Sequence, residues 1–327
     1  MTVGAAPHPA RTSASGPPGG TARNLIGIAS EPIERMRGIV REARRIEPSQ
    51  VLQGRLVASV FFEDSTRTKT SFVLAARNLS ATTIDLSTGS SSVNKGETVI
   101  DTAGTLSAMG VDAVIVRAKQ SGVPGLIARH LPGMSVINAG DGRHEHPTQA
   151  LGDALTIAEA FDRQDLDFSG LRVAIVGDIN ASRVARSNMA LLRGLGASVV
   201  CAGPPTLVSG SLRSLGVDVV WSMDQAMDGA NVVMMLRIQF ERYAAGRGAI
   251  SSPREYRQMF GLTDERSRRL GSDVVVMHPG PTNRGLEIDP AAADGLVPGG
   301  ARSLIRTQVA NGVRTRMAVL RDCLTPG

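Results

Sequence analysis

Short apolar runs recur along this chain without the in-and-out alternation of a half-buried strand, and helical patterns separate them. VASVFF, TTIDL, DAVIVRA and MSVIN occupy the first half; LRVAIVG, SVVCAG, VDVVW, NVVMML and DVVVM occupy the second. A strand that is apolar at successive positions has both faces covered, and strands that alternate with helices pair in parallel. The expected fold is therefore α/β: two doubly wound domains, each with a mostly parallel sheet flanked by helices, and an active site in the cleft between them. With 327 residues, 42% of them hydrophobic, the chain is long enough to bury such a core.

The divider is expected near residue 150, where the helical pattern HEHPTQALGDALTIAEAF gives way to the polar stretch DRQDLDFSG. Residues 1–22, rich in Gly, Pro, Ser and Ala, read as a disordered tail without the apolar centre of a signal peptide. Residues 23–150 are expected to form the first domain and 151–302 the second. The helical pattern over 303–322 has no strand after it and is expected to pack back onto the first domain. A helix start at Ser30–Pro32 carries the buried stripe Ile33, Met36, Ile39, Val40 and Ala43.

Several function classes fall away. No apolar run approaches the roughly 18 residues that would span a bilayer. The net charge of +6 is spread without basic runs, and aromatics are 3%, so a nucleic-acid partner is not expected. A nicotinamide dehydrogenase needs G-x-G-x-x-G after a strand, whereas AIVGDINASR offers only Gly177. Cys201 and Cys323 are far apart with no metal or redox spacing, which fits a reducing cytoplasm.

Ligands of open α/β sheets bind beyond the carboxyl ends of the strands. Arg67, Arg117, Arg237 and His278 all fall just there. The first of them sits in Ser65, Thr66, Arg67, Thr68, which packs three hydroxyls and a guanidinium into the turn from strand to helix. Unpaired N–H groups and the positive end of the helix dipole make that turn an anion site, and capping would account for only one of the hydroxyls. His146 and Gln149 lie three apart on one helix face, a histidine and an amide able to address one carbonyl-like group; a satisfied capping histidine is the plainer alternative. GSSSVNKGET, taken alone, reads as a solvated loop that presents Ser91 and Lys95.

Together these segments resemble the aspartate and ornithine carbamoyltransferase family, over about residues 24 to 322. STRT at 65–68, SSVNKGE at 91–97, Arg117 in VRAKQSG, HPTQ at 146–149, SRVARS at 182–187, LRIQFER at 236–242 and HPGPTNRGLEI at 278–288 follow the family's order. The resemblance implies transfer of a carbamoyl group from carbamoyl phosphate to an amine, in the aspartate branch the committed step of pyrimidine synthesis. It implies carbamoyl-phosphate binding by Ser65, Thr66, Arg67, Thr68, Ser91, Arg117, His146, Gln149, Gly280 and Pro281. Catalytic roles fall to Arg67, Thr68, Lys95, Arg117 and His146.

Aspartate would be bound by Lys95, Arg183, Arg237 and Gln239. Two guanidinium forks suit its two carboxylates, and the cysteine that the ornithine branch carries in the segment reading here His278, Pro279, Gly280, Pro281 is missing. No cofactor and no metal are implied. The resemblance further implies a cytoplasmic homotrimer in which Ser91 and Lys95 complete a neighbour's site, and it leaves open further assembly with dihydroorotase or regulatory chains. Ala118 and Gly152 depart from the family pattern. They leave as alternatives a paralogue with another amine acceptor or a weakly active assembly subunit.

Overall fold

The computed structural model describes residues 22–87, 98–238 and 252–325. The first half runs α1 (Ile33–Arg45), β1 (Leu56–Phe61), α2 (Thr66–Asn78), β2 (Thr82–Ser87), α3 (Val99–Ala108), β3 (Ala113–Ala118), α4 (Val123–His130), β4 (Ser135–Asp141) and α5 (Pro147–Ala160). Its four strands form one sheet in the order β2-β1-β3-β4, every pair parallel. In β1, β3 and β4 successive residues face opposite ways and both ways are dry. Val57, Ile115 and Ile137 join the core beneath α1, α2 and α5, while Ala58, Val60, Val114 and Val136 join a second core on the α3 and α4 side.

The second half contains β5 (Arg172–Val176), α6 (Arg183–Gly194), β6 (Ser198–Ala202), β7 (Asp218–Val220), α7 (Met223–Met227), β8 (Val232–Met235), α8 (Pro253–Phe260), α9 (Asp264–Leu270), β9 (Val275–Met277), α10 (Pro290–Asp294), β10 (Arg302–Ser303) and α11 (Ile305–Leu324). Its six strands are ordered β10-β9-β8-β5-β6-β7, again all parallel. The expected strands are present. The sequence offered no sign of β10, because a two-residue strand of Arg302 and Ser303 has no apolar pattern to read.

Each sheet reverses its winding once. In the first, β1 lies between β2 and β3; in the second, β5 lies between β6 and β8. Adjacent crossovers diverge at such a point and leave a crevice beyond the strand ends. Arg67 and Arg117 flank the reversal in the first sheet, one following β1 and the other within β3, where it pairs in register with Phe61. Arg183 and Arg237 follow β5 and β8 and flank the reversal in the second.

The last helix, α11, packs against α1, α2 and α5 and also touches β9. It meets α5 closely at Gly152: a methyl group built there would lie 3.6 Å from the Cα of Gly312 and 3.7 Å from Thr315 Oγ1. Those are ordinary contact distances, so the glycine is not needed for space. Gly152→Ala should keep the fold and raise stability by up to about 1 kcal/mol, from the lower backbone entropy of the unfolded chain. Urea unfolding of both proteins, compared at equal slope, checks this; a lower midpoint would show that the helices cannot accept the methyl group.

Candidate active site

The ends of the two sheets border one cleft of about 600 Å³. Its lining includes Ser65, Thr66, Arg67, Thr68, Arg117, His146, Gln149, Arg183, Arg237, Gly280 and Pro281, so the sequence-predicted residues within the described chain are brought together. Ser91, Lys95 and Gln239 lie outside the described residues.

At the start of α2, Ser65 occupies the position before the helix but does not cap it with its side chain. Its hydroxyl donates instead to Thr68 Oγ1, at 3.0 Å. Lys69 N–H makes the first helical bond, to the Ser65 carbonyl at 3.0 Å. The N–H groups of Thr66, Arg67 and Thr68 therefore stand outside the helical ladder, at the positive end of the dipole. Arg67 reaches across the cleft to the loop after β9. A Cβ on Gly280 would lie 1.9 Å from Arg67 Nη1, and Gly280 has φ +67°. The guanidinium rests directly on the glycine, so any side chain there would strain the backbone and push the end of Arg67 aside. Partial burial, and after it the charge of Arg237, hold the Arg67 pKa below the usual arginine value.

Arg117 and Arg183 meet from opposite sheets over Gly140, where a Cβ would be 2.9 Å from Arg183 Nε and 3.2 Å from Arg117 Nη1. Glu63, in the loop after β1, joins them. It accepts from Arg183 Nη1 and Nη2 at 3.0 Å each and from Arg117 Nη2 at 3.4 Å. Arg117 also donates to the Ala139 carbonyl at 3.1 Å. Ala118, the departure beside it, is fully buried in β3, and Arg117 keeps these two contacts without help from that position. Because Glu63 fills the fork of Arg183, a substrate carboxylate reaching Arg183 must share or displace that bond. The two-fork picture drawn from the sequence did not include this contact.

His146 stands at the head of α5, with Pro147 opening the helix. Its backbone N–H donates to Ser187 Oγ at 2.9 Å, and that hydroxyl donates to Glu145 Oε2 at 2.9 Å. Glu145 in turn accepts from the N–H groups of Ile28 and Ala29. The His146 ring is buried, and burial first, then the charges of Arg117, Arg316 and Arg183, push its pKa well below the usual histidine value. It is a neutral imidazole that can donate one hydrogen bond.

His278 is also buried and neutral, its pKa lowered chiefly by burial against the opposing pull of Glu287. Its Nδ1 accepts from Gly280 N–H at 2.7 Å, so Nε2 carries the proton and donates to Glu287 Oε1 at 3.2 Å. That carboxylate also accepts from Asn283 N–H, and Asn283 Oδ1 accepts from Arg237 Nε at 3.4 Å. One histidine thus fixes the loop that carries Gly280, Pro281 and the neighbours of Arg237. The Gly280–Pro281 peptide is cis.

Glu63, Asp178, Gln308 and Arg316 border the cleft too and were not found in the sequence. Arg316, on α11, is fully enclosed with its guanidinium 5.1 Å from the Phe72 ring, and burial draws its pKa down to about 10. Its place on the buried stripe of α11 was the only available signal. The lining therefore holds five guanidinium groups against the carboxylates of Glu63, Asp64 and Asp178, with two neutral histidines. This is a site for anions. Among the described residues no group of three or more His, Cys, Asp or Glu side chains is placed to hold a metal ion.

Residues 23–159 match the family described as "Aspartate/ornithine carbamoyltransferase, carbamoyl-P binding domain", and residues 169–323 match its "Asp/Orn binding domain". The chain belongs to the aspartate/ornithine carbamoyltransferase family. Within it, the chain is 53% identical to an aspartate carbamoyltransferase catalytic subunit from Granulibacter bethesdensis, over 83% of this chain and 82% of that one. It is 46% identical to the protein of the same name from Myxococcus xanthus, over 92% and 99%.

Solved carbamoyltransferases share the architecture. Aspartate transcarbamoylase from Trypanosoma cruzi, crystallised with carbamoyl phosphate and aspartate, superposes with a TM-score of 0.79 at 27% identity, covering 93% of this chain and 98% of that one. Ornithine carbamoyltransferase from Thermus thermophilus reaches the same TM-score at 25% identity, over 92% and 99%. Family membership thus fixes the fold, while the backbone alone does not separate the two acceptors.

The two enclosed imidazoles give a direct test of the site's charge. In protein carrying ¹³C-labelled histidine, His146 and His278 should both titrate below the usual histidine value of about 6.5, His146 well below it, because burial disfavours the charged ring. A midpoint at or above the usual value for either would contradict the geometry.

Proposed function

We propose that this chain is a catalytic chain of aspartate carbamoyltransferase, moving the carbamoyl group of carbamoyl phosphate to the amine of L-aspartate to give N-carbamoyl-L-aspartate and phosphate. The observation that carries the reading is the gathering of Arg67, Arg117, Arg183, Arg237 and Arg316 at one cleft, on both sides of it. Two anionic substrates must be held within reach of each other despite their repulsion, and fixed guanidinium groups offset it. The names of the relatives at 46% to 53% identity support the same activity.

In this reading residues 23–150 with α11 hold carbamoyl phosphate and residues 151–302 hold aspartate. The phosphate lies on the open N–H groups of α2 with the hydroxyls of Ser65, Thr66 and Thr68, and Arg67 and Arg117 balance its charge. The aspartate nitrogen attacks the carbonyl carbon, and the C=O electrons move onto oxygen. Thr68 and neutral His146 donate to that oxyanion; a charged histidine would add a cation among arginines. Collapse of the intermediate breaks the bond to the phosphate oxygen, which leaves with the electron pair and accepts the proton given up by the amine. Aspartate's carboxylates are met by Arg237 and Arg183, and its amine by backbone carbonyls around Gly280 and Pro281.

A panel of amino acids supplied with carbamoyl phosphate tests the acceptor. Aspartate should be carbamoylated and ornithine should not; carbamoylation of another amine with aspartate inert would move the chain to a paralogous activity.

The same reading makes the enzyme a cytoplasmic homotrimer of the pyrimidine pathway in which Ser91 and Lys95 serve the neighbouring site. The unpaired, buried Cys201 and Cys323 are consistent with a reducing compartment. Inactive Lys95→Ala and His146→Ala chains, mixed equally and allowed to exchange, should recover activity as about a quarter of the sites regain both residues. No recovery after proven exchange would show that each site is built from one chain.

A further inference from the structure

Asp153 lies on α5 one turn beyond Gln149 and is completely buried. Three side-chain amides from three helices converge on it. Its Oδ1 accepts from Gln149 Nε2 at 2.8 Å and from Gln308 Nε2 of α11 at 2.9 Å, and its Oδ2 accepts from Asn188 Nδ2 of α6 at 2.8 Å. A carboxylate only accepts, so each amide must present its NH2 group to it. For Gln149 that leaves the carbonyl oxygen as the end available to the cleft it borders. For Gln308 it frees Oε1, which accepts from His278 N–H at 2.7 Å.

We infer that Asp153 is a positioning residue that dictates which end of the Gln149 amide meets the substrate, holding it as a hydrogen-bond acceptor for the carbamoyl NH2 group. The inference rests on the carbamoyl-transfer reading above. An amide free to turn over would present its own NH2 to that NH2 half the time, donor against donor. The ionised carboxylate removes this ambiguity, and through Asn188 and Gln308 it ties the orientation to α6, which begins with Arg183, and to the loop of Gly280. Protonation would give Asp153 an O–H that faces one of the three donors, so the arrangement requires the charged form. Burial raises the Asp153 pKa from 3.8 to about 6 against the pull of its hydrogen bonds, and Arg316 of α11 is the charged group acting on it. The neighbouring amides do not titrate.

The test is a double-mutant cycle with wild type, Asp153→Asn, Gln149→Ala and the pair, each checked for folding by circular dichroism. Asparagine keeps the size of Asp153 but turns one acceptor into a donor. Wild type should carbamoylate aspartate, and its failure to do so would sink the functional reading rather than this one. Given an active wild type, Asp153→Asn should lower kcat on the order of 100-fold, as expected for a misaligned contact to the reacting group. The double variant should match Gln149→Ala within about twofold. Full multiplication of the two losses, or an unchanged kcat in Asp153→Asn, would overturn the inference.

Should Asp153→Asn fail to fold, the wild type answers alone against Gln149→Ala. The ratio of their kcat values should fall as pH drops through about 6, because protonation of Asp153 releases an amide that only wild type possesses. A ratio constant across that range would overturn the inference equally.

Discussion

Like charges at close quarters are the constraint on which the rest of this molecule depends. Five arginines border one cleft, and their mutual repulsion is tolerable only where fixed counter-charges or bound anions stand between them. Glu63 is the counter-charge that joins two of them. It grips Arg183 with both oxygens and reaches Arg117 with one of them, so a side chain following the first strand of one sheet holds an arginine following a strand of the other. The two neutral histidines obey the same constraint. An imidazolium at His146 would add to the positive crowd, and burial beside Arg117, Arg316 and Arg183 keeps that proton off.

The residues legible in the sequence were those whose chemistry is local. Ser65 to Thr68 declare an anion site because strand, turn and helix start fall within a few residues, and His146 with Gln149 are related by one helical turn. Arg67, Arg117, Arg237 and His278 were readable because parallel topology fixes where strand ends go. Asp153, Gln308 and Arg316 could not be read that way. Gln308 lies 155 residues from the carboxylate it binds, and nothing near either residue reveals the meeting. Glu63 sat in plain view two residues before Ser65, but an acid beside a phosphate grip looks unhelpful until the arginine 120 residues away is found on it.

Two glycines show the same limit from the other side. In sequence, Gly140 and Gly280 look like ordinary turn residues. In the fold each is the floor under a guanidinium, and at Gly280 the left-handed backbone is matched by an arginine that any side chain would push aside. Gly152, by contrast, has space around it. A glycine's meaning lies in what approaches it, which a one-dimensional reading cannot supply.

The placement of α11 bears on the order of events during synthesis. Its residues 305–324 are made after every other element of the cleft, yet they supply Arg316 and the Gln308 amide that steadies the loop of Gly280. The cleft between the sheets is short of a cation and a brace until this helix docks on α1, α2 and α5. Substrate capture therefore waits on the last helix, whose Met317, Ala318, Val319 and Leu320 also join the core that the earlier helices share.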